Sequence, residues 1–237
     1  NFHLQKKYKD TSWSEIDKRI LSKLKKKSSI INIYWKKRIQ SKGNYAASNL
    51  SFKFLKRKKF SIPKSKYNLI LLHVFKDSPF NVIDRRRIFA DYFDWIENTL
   101  KIIKYSNESW IIKTHPISRR WGEDQKKILS ILINKVLTKK PKNILIINHV
   151  DKDQLFRYAE KIVTFSGTAA IEAIAYNKKP IVICKSNIEN FSNNILLRPN
   201  SISEYNKILL NKINFKVTKN QRDLAKTIIY ARENVYS

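Results

Sequence analysis

From residue 67 onward, short apolar runs rich in β-branched and aromatic residues alternate with longer runs of helix-forming residues. Runs of the first kind are typical of buried strands, and runs of the second kind of helices. The predicted strands cover residues 67–75, 109–113, 143–148, 162–165 and 180–184, and the predicted helices cover 88–104, 123–137, 152–159, 168–176, 203–212 and 219–233. This alternation predicts an α/β fold, a Rossmann-like parallel sheet with helices on both faces.

Residues 1–66 do not share this rhythm. Apolar residues at helical spacing in 12–40 predict a basic helical segment with an interruption near Ser28, and residues 41–66 show no periodicity. We therefore divide the chain into 1–66, a basic, mostly helical remnant of an amino-terminal region or a linker, and 67–237, a Rossmann-like domain.

The chain is strongly basic, with a formal net charge of +30, and more than half of the excess falls in residues 1–66. Such blocks of lysine and arginine bind nucleic-acid backbones, anionic lipids or acidic polysaccharides, and charge alone does not choose among them. The single cysteine, Cys184, lies in an apolar run, which favours a buried thiol in a reducing cytoplasm.

The most informative local motif is Ser166-Gly167-Thr168, which separates a predicted strand from a predicted helix. Glycine lets a backbone approach a ligand closely, and the free amides of a first helical turn favour an anion. The motif therefore predicts a phosphate site. The alternative is that Ser166 or Thr168 only caps the helix, as serine and threonine commonly do.

A second motif ends another predicted strand, where Lys113 and His115 stand two residues apart and Pro116 follows. Proline restrains the preceding residue to an extended conformation. A cation and an imidazole would then lie at the carboxyl edge of the sheet, where open α/β folds bind ligands. The alternative is a structural histidine near a turn. Two such motifs, at what we take to be neighbouring strand ends, favour a ligand role.

Other candidates carry weaker signals. Glu172, in the helix after the phosphate motif, can accept hydrogen bonds from a ribose, although a solvated glutamate is an equal alternative. Asp151 and Asp153 match a metal-binding pattern, but Asp151 with Gln154 has the form of a helix cap, which we favour. No metal and no cofactor is expected, and the chain has neither a P-loop nor a dinucleotide-binding glycine motif. The sequence gives no role to His73 or His149.

Four motifs together resemble the capsule polysaccharide biosynthesis family, which includes the Kdo transferases of bacterial capsule assembly. They are Leu72-His-Val-Phe-Lys-Asp77, Trp110-Ile-Ile-Lys-Thr-His-Pro116, Ser166-Gly-Thr-Ala-Ala-Ile-Glu172 and Lys179-Pro180-Ile-Val. The resemblance implies a metal-independent GT-B glycosyltransferase of which residues 67–237 form the nucleotide-sugar-binding half. It also implies that His115 and the 166–168 turn hold the phosphate of a CMP-sugar, with help from Lys113. Because 1–66 is too short for a GT-B acceptor domain, we expect a fragment or a reduced member.

The resemblance leaves the catalytic base open. Asp77, which follows the first predicted strand, is our candidate, although Asp-Ser-Pro is also ordinary turn chemistry. The family often has glycine ahead of its Lys-Pro pair, where this chain has Asn177-Lys178, and asparagine also tolerates a left-handed helix end.

On this view the protein transfers a sugar such as Kdo to a glycan or glycolipid acceptor, in the cytoplasm and in peripheral contact with an anionic membrane. A glycerophosphotransferase or a sugar-nucleotide epimerase remains an alternative. A basic nucleic-acid-binding protein is an alternative of another class, which we disfavour because the tryptophans lie in amphipathic or strand contexts.

Overall fold

The computed structural model describes most of the chain in separate stretches. These are residues 18–39, 62–76, 88–116, 118–137, 142–148, 150, 152–166, 168–184, 192, 194–211 and 216–234.

Five parallel strands form one sheet in the order β3-β2-β1-β4-β5. They are β1 (Tyr67–Leu71), β2 (Trp110–Lys113), β3 (Ile144–Ile147), β4 (Ala159–Thr164) and β5 (Ile181–Val182). β1 lies at the centre, and all five of its residues are buried, as expected for a strand covered on both faces. The predicted parallel α/β sheet is therefore confirmed.

Eight α-helices surround or precede the sheet in the described part of the chain. They are α1 (Lys18–Lys25), α2 (Ser28–Ile39), α3 (Tyr92–Ile103), α4 (Gln125–Leu137), α5 (Lys152–Arg157), α6 (Thr168–Ala175), α7 (Ile202–Leu210) and α8 (Lys219–Asn234). A short 3-10 helix, Ser118–Trp121, precedes α4.

The core has two sides because successive strand residues point to opposite faces of the sheet. On one face, residues such as Ile70 and Ile112 pack with the buried side chains of α3, α4 and α7. On the other face, Leu69 and Ile111 pack with α5 and α6. Helices on both faces were predicted. With both faces covered, the loops at the amino ends and at the carboxyl ends of the strands, here called the amino edge and the carboxyl edge, are where a site can form.

The amino-terminal helices α1 and α2 pack against α6 and α8. Leu21, Ile31 and Trp35 are buried in one cluster with apolar residues of those two helices. The break between α1 and α2 falls at Lys26 and Lys27, close to the predicted interruption. The division into 1–66 and 67–237 stays a prediction, although the described part of 1–66 shares a core with the sheet domain.

A polar cluster lies towards the amino ends of β1, β2 and β4. Lys161, only 4% exposed, donates through Nζ to Glu108 Oε2 at 2.9 Å and to the carbonyl of Leu209 at the end of α7. Asn68 Nδ2 donates to the same glutamate oxygen at 2.6 Å. A buried ammonium thus meets a carboxylate and a helix C-terminus, both of which stabilise its charge. We call Asn68, Glu108 and Lys161 the amino-edge cluster.

Several predicted boundaries were wrong; the helix predicted from residue 88, for example, begins at Tyr92. The first strand was predicted to reach residue 75, but β1 ends at Leu71, and Leu72, Val74 and Phe75 are buried in a loop instead. Ala159 was placed in a helix, yet it opens β4 and pairs with Tyr67. None of the helices described here combines the length and apolar character that crossing a bilayer requires.

Candidate functional site

The loop after β4 leads directly into α6, as the sequence predicted. Thr164 Oγ1 donates to the carbonyl of Ser166 at 3.2 Å, which closes the chain on itself just beyond the strand. Ser166 and Thr168 are both half-buried, and Thr168 is the first residue of α6. Gly167 lies outside the described residues. The amino end of an eight-residue helix therefore stands at the carboxyl edge of the sheet.

The other end of α6 has the geometry of a left-handed cap. Asn177 has a φ of 64°, its N–H donates to Ile174 O at 2.9 Å, and the N–H of Lys178 donates to Ala173 O at 2.9 Å. This pair of bonds is a Schellman motif. The prediction that Asn177 replaces glycine at a left-handed helix end is confirmed.

The loop after β2 carries Lys113, Thr114 and His115. The N–H of Thr114 donates to Ile147 O at 2.9 Å, and Thr114 Oγ1 donates to Asn148 Oδ1 at 3.1 Å, so the loop is tied to β3. Lys113 is half-buried, and its Nζ donates to the carbonyl of Thr114 at 3.2 Å. Both predicted residues therefore lie at the carboxyl edge of β2.

His115 is a neutral imidazole in this environment. Its pKa is lowered from 6.5 to about 3, first by burial and then by the charges of His73 and Lys113. A neutral ring offers one N–H donor and one acceptor. At neutral pH the fixed positive charge of this loop therefore comes from Lys113, and His115 contributes hydrogen bonding unless an anion arrives to favour its protonated form.

His73, in the loop after β1, is next to His115. The two ring centroids are 5.8 Å apart, and the ring of His73 also stacks on the ring of Tyr92, with centroids 5.0 Å apart. No role for His73 could be predicted from the sequence, because its pairing with His115 depends on two loops that meet only when β1 and β2 are hydrogen-bonded neighbours.

The loops after β1 and β2 are connected by two buried residues. Glu123 lies just ahead of α4, and Gln125 is the first residue of α4. Gln125 Oε1 accepts from the N–H of His115 at 2.7 Å, and Gln125 Nε2 donates to His73 O at 2.7 Å. Glu123 accepts from the backbone N–H groups of Phe75, at 3.0 Å, and Lys76. Neither residue was identified from the sequence. Polar residues at a helix start indicate a structural or functional role only once they are known to be buried.

The two predicted phosphate-binding motifs are not on adjacent strands. β1 lies between β2 and β4, so the ends that carry His115 and Ser166 are about 10 Å apart, twice the spacing of neighbouring strands. This corrects the expectation of neighbouring strand ends. The chain order also reverses direction about β1, the kind of position where open α/β sheets bind ligands. A ligand lying across the end of β1 can contact both motifs.

Glu172 has a protein partner in the structure. It is 5% exposed, and its Oε1 accepts from Arg38 Nη2 at 2.6 Å. The same arginine pairs with Glu233 of α8, which also accepts from the hydroxyl of Tyr34. Burial opposes the charge of Arg38, but the two carboxylates outweigh burial and raise the pKa of its guanidinium. A ribose role for Glu172 stays a prediction; its present contact fastens α2 to α6.

Of the three remaining candidates, Asp77, Asp151 and Asp153, the structure describes only Asp153. Asp77, the candidate base, and Asp151 lie outside the described residues. Asp153 pairs with Arg157 one turn along α5. In the parts of the chain that the structure describes, no group of three or more His, Cys, Asp or Glu residues could hold a metal ion.

Comparison with known proteins identifies one family. Residues 16–186 match the family model described as capsule polysaccharide biosynthesis protein. No curated protein matches the sequence.

Solved structures with a similar course of the chain include two from different enzymes. The UDP-GlcNAc 2-epimerase of Methanocaldococcus jannaschii is 20% identical, with 92% of this chain and 53% of that chain covered and a TM-score of 0.45. KpsC of Thermosulfurimonas dismutans, a beta Kdo 2,4 transferase, is 9% identical, with 90% and 56% covered and a TM-score of 0.45. The chain thus spans about half the length of these structures.

Proposed function

The chain belongs to the capsule polysaccharide biosynthesis protein family, and on that basis we propose that it is the nucleotide-sugar-binding half of a GT-B glycosyltransferase. In this proposal residues 67–237 bind the donor, and the acceptor is a glycan or glycolipid. In this proposal the whole enzyme also has an acceptor-binding half.

One observation carries the proposal. The sheet order puts the carboxyl ends of β2 and β4 on either side of β1, so Lys113, His115 and the start of α6 all lie at the carboxyl edge of the sheet. A cation, a hydrogen-bonding imidazole and a helix amino end are three groups that favour a phosphate. This supports a phosphate-bearing donor lying across β1.

The chemistry follows from where charge develops. In glycosyl transfer the bond between the anomeric carbon and the donor phosphate breaks, the electron pair leaves with the phosphate, and the acceptor oxygen bonds to that carbon. The growing negative charge on the phosphate is stabilised by Lys113, by an N–H of His115 and by the amides at Thr168. A base must take the acceptor proton, and we assign this role to Asp77.

Several finer features belong to the same proposal. Ser166, Gly167 and Thr168 contact the phosphate, and Glu172 contacts the ribose after exchanging its bond to Arg38. The donor is a CMP-sugar, with Kdo as the sugar, and no metal takes part. The enzyme works in the cytoplasm at the inner face of an anionic membrane, which its excess of lysine favours.

The first test is thermal denaturation with CMP, CMP-Kdo, CDP-glycerol and UDP-sugars. A ligand at about a hundred times its Kd should raise Tm by about 5 °C or more. A response to CMP compounds alone supports the proposed donor, whereas a response limited to CDP-glycerol or UDP-sugars favours the glycerophosphotransferase or the epimerase. If none of these compounds changes Tm, the nucleotide-sugar proposal fails.

Two variants separate the site from the charge of the chain. His115→Ala should abolish the ligand-induced rise in Tm, and Ser130→Ala, on an exposed position of α4, should leave it unchanged. A nucleic-acid-binding protein would instead bind DNA or RNA with an affinity that falls steeply with salt and does not depend on His115.

A further inference from the structure

Gln125 joins the loops that follow β1 and β2. It is 2% exposed and stands at the first position of α4. Its Oε1 accepts the backbone N–H of His115 at 2.7 Å, and its Nε2 donates to the carbonyl of His73 at 2.7 Å. One side-chain amide therefore fixes the backbone at both histidines.

Glu123 completes the connection from the other side. It is 3% exposed, and its Oε2 accepts from the N–H of Phe75 at 3.0 Å and from Gln125 Nε2 at 3.1 Å. Its Oε1 accepts from the N–H of Lys76. The carboxylate thus holds the loop after β1 and orients the amide of Gln125. We call Glu123 and Gln125 the loop clamp.

The chemistry of the loop clamp demands a glutamine at 125. The amide uses an acceptor for one backbone N–H and both of its donors, one for a carbonyl and one for a carboxylate. Glutamate lacks the donors and would bring a second negative charge beside Glu123, and asparagine is one methylene shorter. Neither substitute would keep all three hydrogen bonds.

The clamp is anchored to the core rather than to a loop. Leu129 and Ile133 of α4 are buried against the sheet. Asp124, between the two clamp residues, faces solvent and caps the helix through Oδ1, which accepts from the N–H groups of Lys126 and Lys127 at 3.1 and 3.2 Å. The helix start and the clamp are therefore adjacent but chemically separate.

We propose that Gln125, oriented by Glu123, is a positioning residue that sets where the imidazole of His115 lies relative to the loop after β1 and to the donor phosphate. The proposal rests on the function proposed above, because it gives His115 its ligand. The clamp bonds the backbone of His115 and not its imidazole.

The test compares Gln125→Ala with Asp124→Ala, a matched control that weakens the same helix start without touching either loop. Histidine labelled at Cε1 allows the imidazole of His115 to be titrated by NMR, with its signal assigned from a His115→Gln variant. In the unaltered chain this ring should stay neutral down to about pH 3. Gln125→Ala should raise its pKa by at least about one unit, because a released loop admits water. Asp124→Ala should not change it.

Donor binding supplies the second measurement. With the nucleotide that raises Tm most, Gln125→Ala and Gln125→Glu should each weaken binding at least about tenfold, a loss Asp124→Ala should not show. If Gln125→Ala leaves both the titration of His115 and the nucleotide affinity as they are in the unaltered chain, the positioning role is wrong. If no nucleotide binds the unaltered chain, the proposed function fails while the titration still decides whether the clamp holds the histidine.

Discussion

The two edges of the sheet use polar residues in opposite ways. At the amino edge, Lys161 is buried and its charge is met by Glu108 and by the end of α7. At the carboxyl edge, Glu123 is equally buried, but its carboxylate is occupied by backbone N–H groups and by Gln125. Lys113, a cation of this edge, is half-buried.

This difference predicts that the two edges have different roles. A buried charge whose partners are all within the protein contributes to the fold and has nothing to offer a ligand. At the carboxyl edge the carboxylate is hydrogen-bonded to backbone N–H groups and the cation is partly exposed to solvent. The cation can therefore attract an anionic ligand. We therefore expect substitutions at the amino edge to change stability alone, and substitutions at the carboxyl edge to change binding.

The largest effect is expected from Lys161→Met at the amino edge. The variant keeps an apolar stem but leaves Glu108 without its ammonium, and we expect the free energy of unfolding to fall by about 3 kcal/mol. Urea denaturation measures this change. Lys66→Met is the control, because Lys66 forms an exposed pair with Glu160 and should show no measurable loss. Equal effects of the two substitutions would contradict the assignment of the amino-edge cluster to stability.

The next effect concerns His115 and pH. Its folded pKa of about 3 lies below the unfolded value of 6.5, so the unfolded chain takes up this proton first as pH falls. The contribution to stability is thus complete above about pH 6.5 and is lost progressively between pH 6.5 and 3. Between pH 7.5 and 5 this single group should lower the free energy of unfolding by about 2 kcal/mol.

His115→Gln removes the titrating group and should flatten that pH dependence by the same amount. The measurement is urea denaturation at pH 7.5 and pH 5 for both chains. If the unaltered chain and His115→Gln showed the same pH dependence, the imidazole would already be hydrated in the folded state. The carboxyl edge would then be more exposed to solvent than it is in the structure.

The sequence was sufficient to predict a parallel sheet and the capping of α6. Apolar runs identify all five strands because strands covered on both faces are largely apolar. Asn177 was predictable because only a few residues tolerate the left-handed conformation that ends a helix. The end of β1 was not predictable. Leu72, Val74 and Phe75 are as apolar and as buried as strand residues, but they do not pair with a neighbouring strand.

The site was predictable only in part, for a physical reason. Lys113, His115, Ser166 and Thr168 follow strands directly, and parallel strands bring their carboxyl ends to one edge. The strand order that separates them by β1 is not a local property of any segment. Glu123 and Gln125 reach loops roughly fifty residues away in the chain, and no spacing in the sequence records such contacts.

A smaller effect should distinguish charge at one edge from charge at the other. Lys113→Ala should weaken nucleotide binding about tenfold, close to 1.4 kcal/mol, because it removes a cation that the proposed function places beside the donor phosphate. Lys142→Ala makes the same change of charge just ahead of β3, at the amino edge, and should leave affinity unchanged. Isothermal titration with the best ligand from the thermal screen measures both. A loss of similar size in the two variants would mean that net charge, rather than the site, attracts the ligand.

The smallest effect tests whether α6 links the edges. This helix begins at the carboxyl edge and, as the connection between parallel strands, runs back towards the amino edge, where Asn177 ends it. Asn177→Ala forces an unfavourable residue into the left-handed conformation and should cost about 1 kcal/mol, whereas Asn177→Gly should be nearly neutral. Nucleotide affinity should not change in either variant. If Asn177→Ala also weakened nucleotide binding, loss of the cap would destabilise α6 as far as Thr168. Substitutions at the two edges would then not have independent effects.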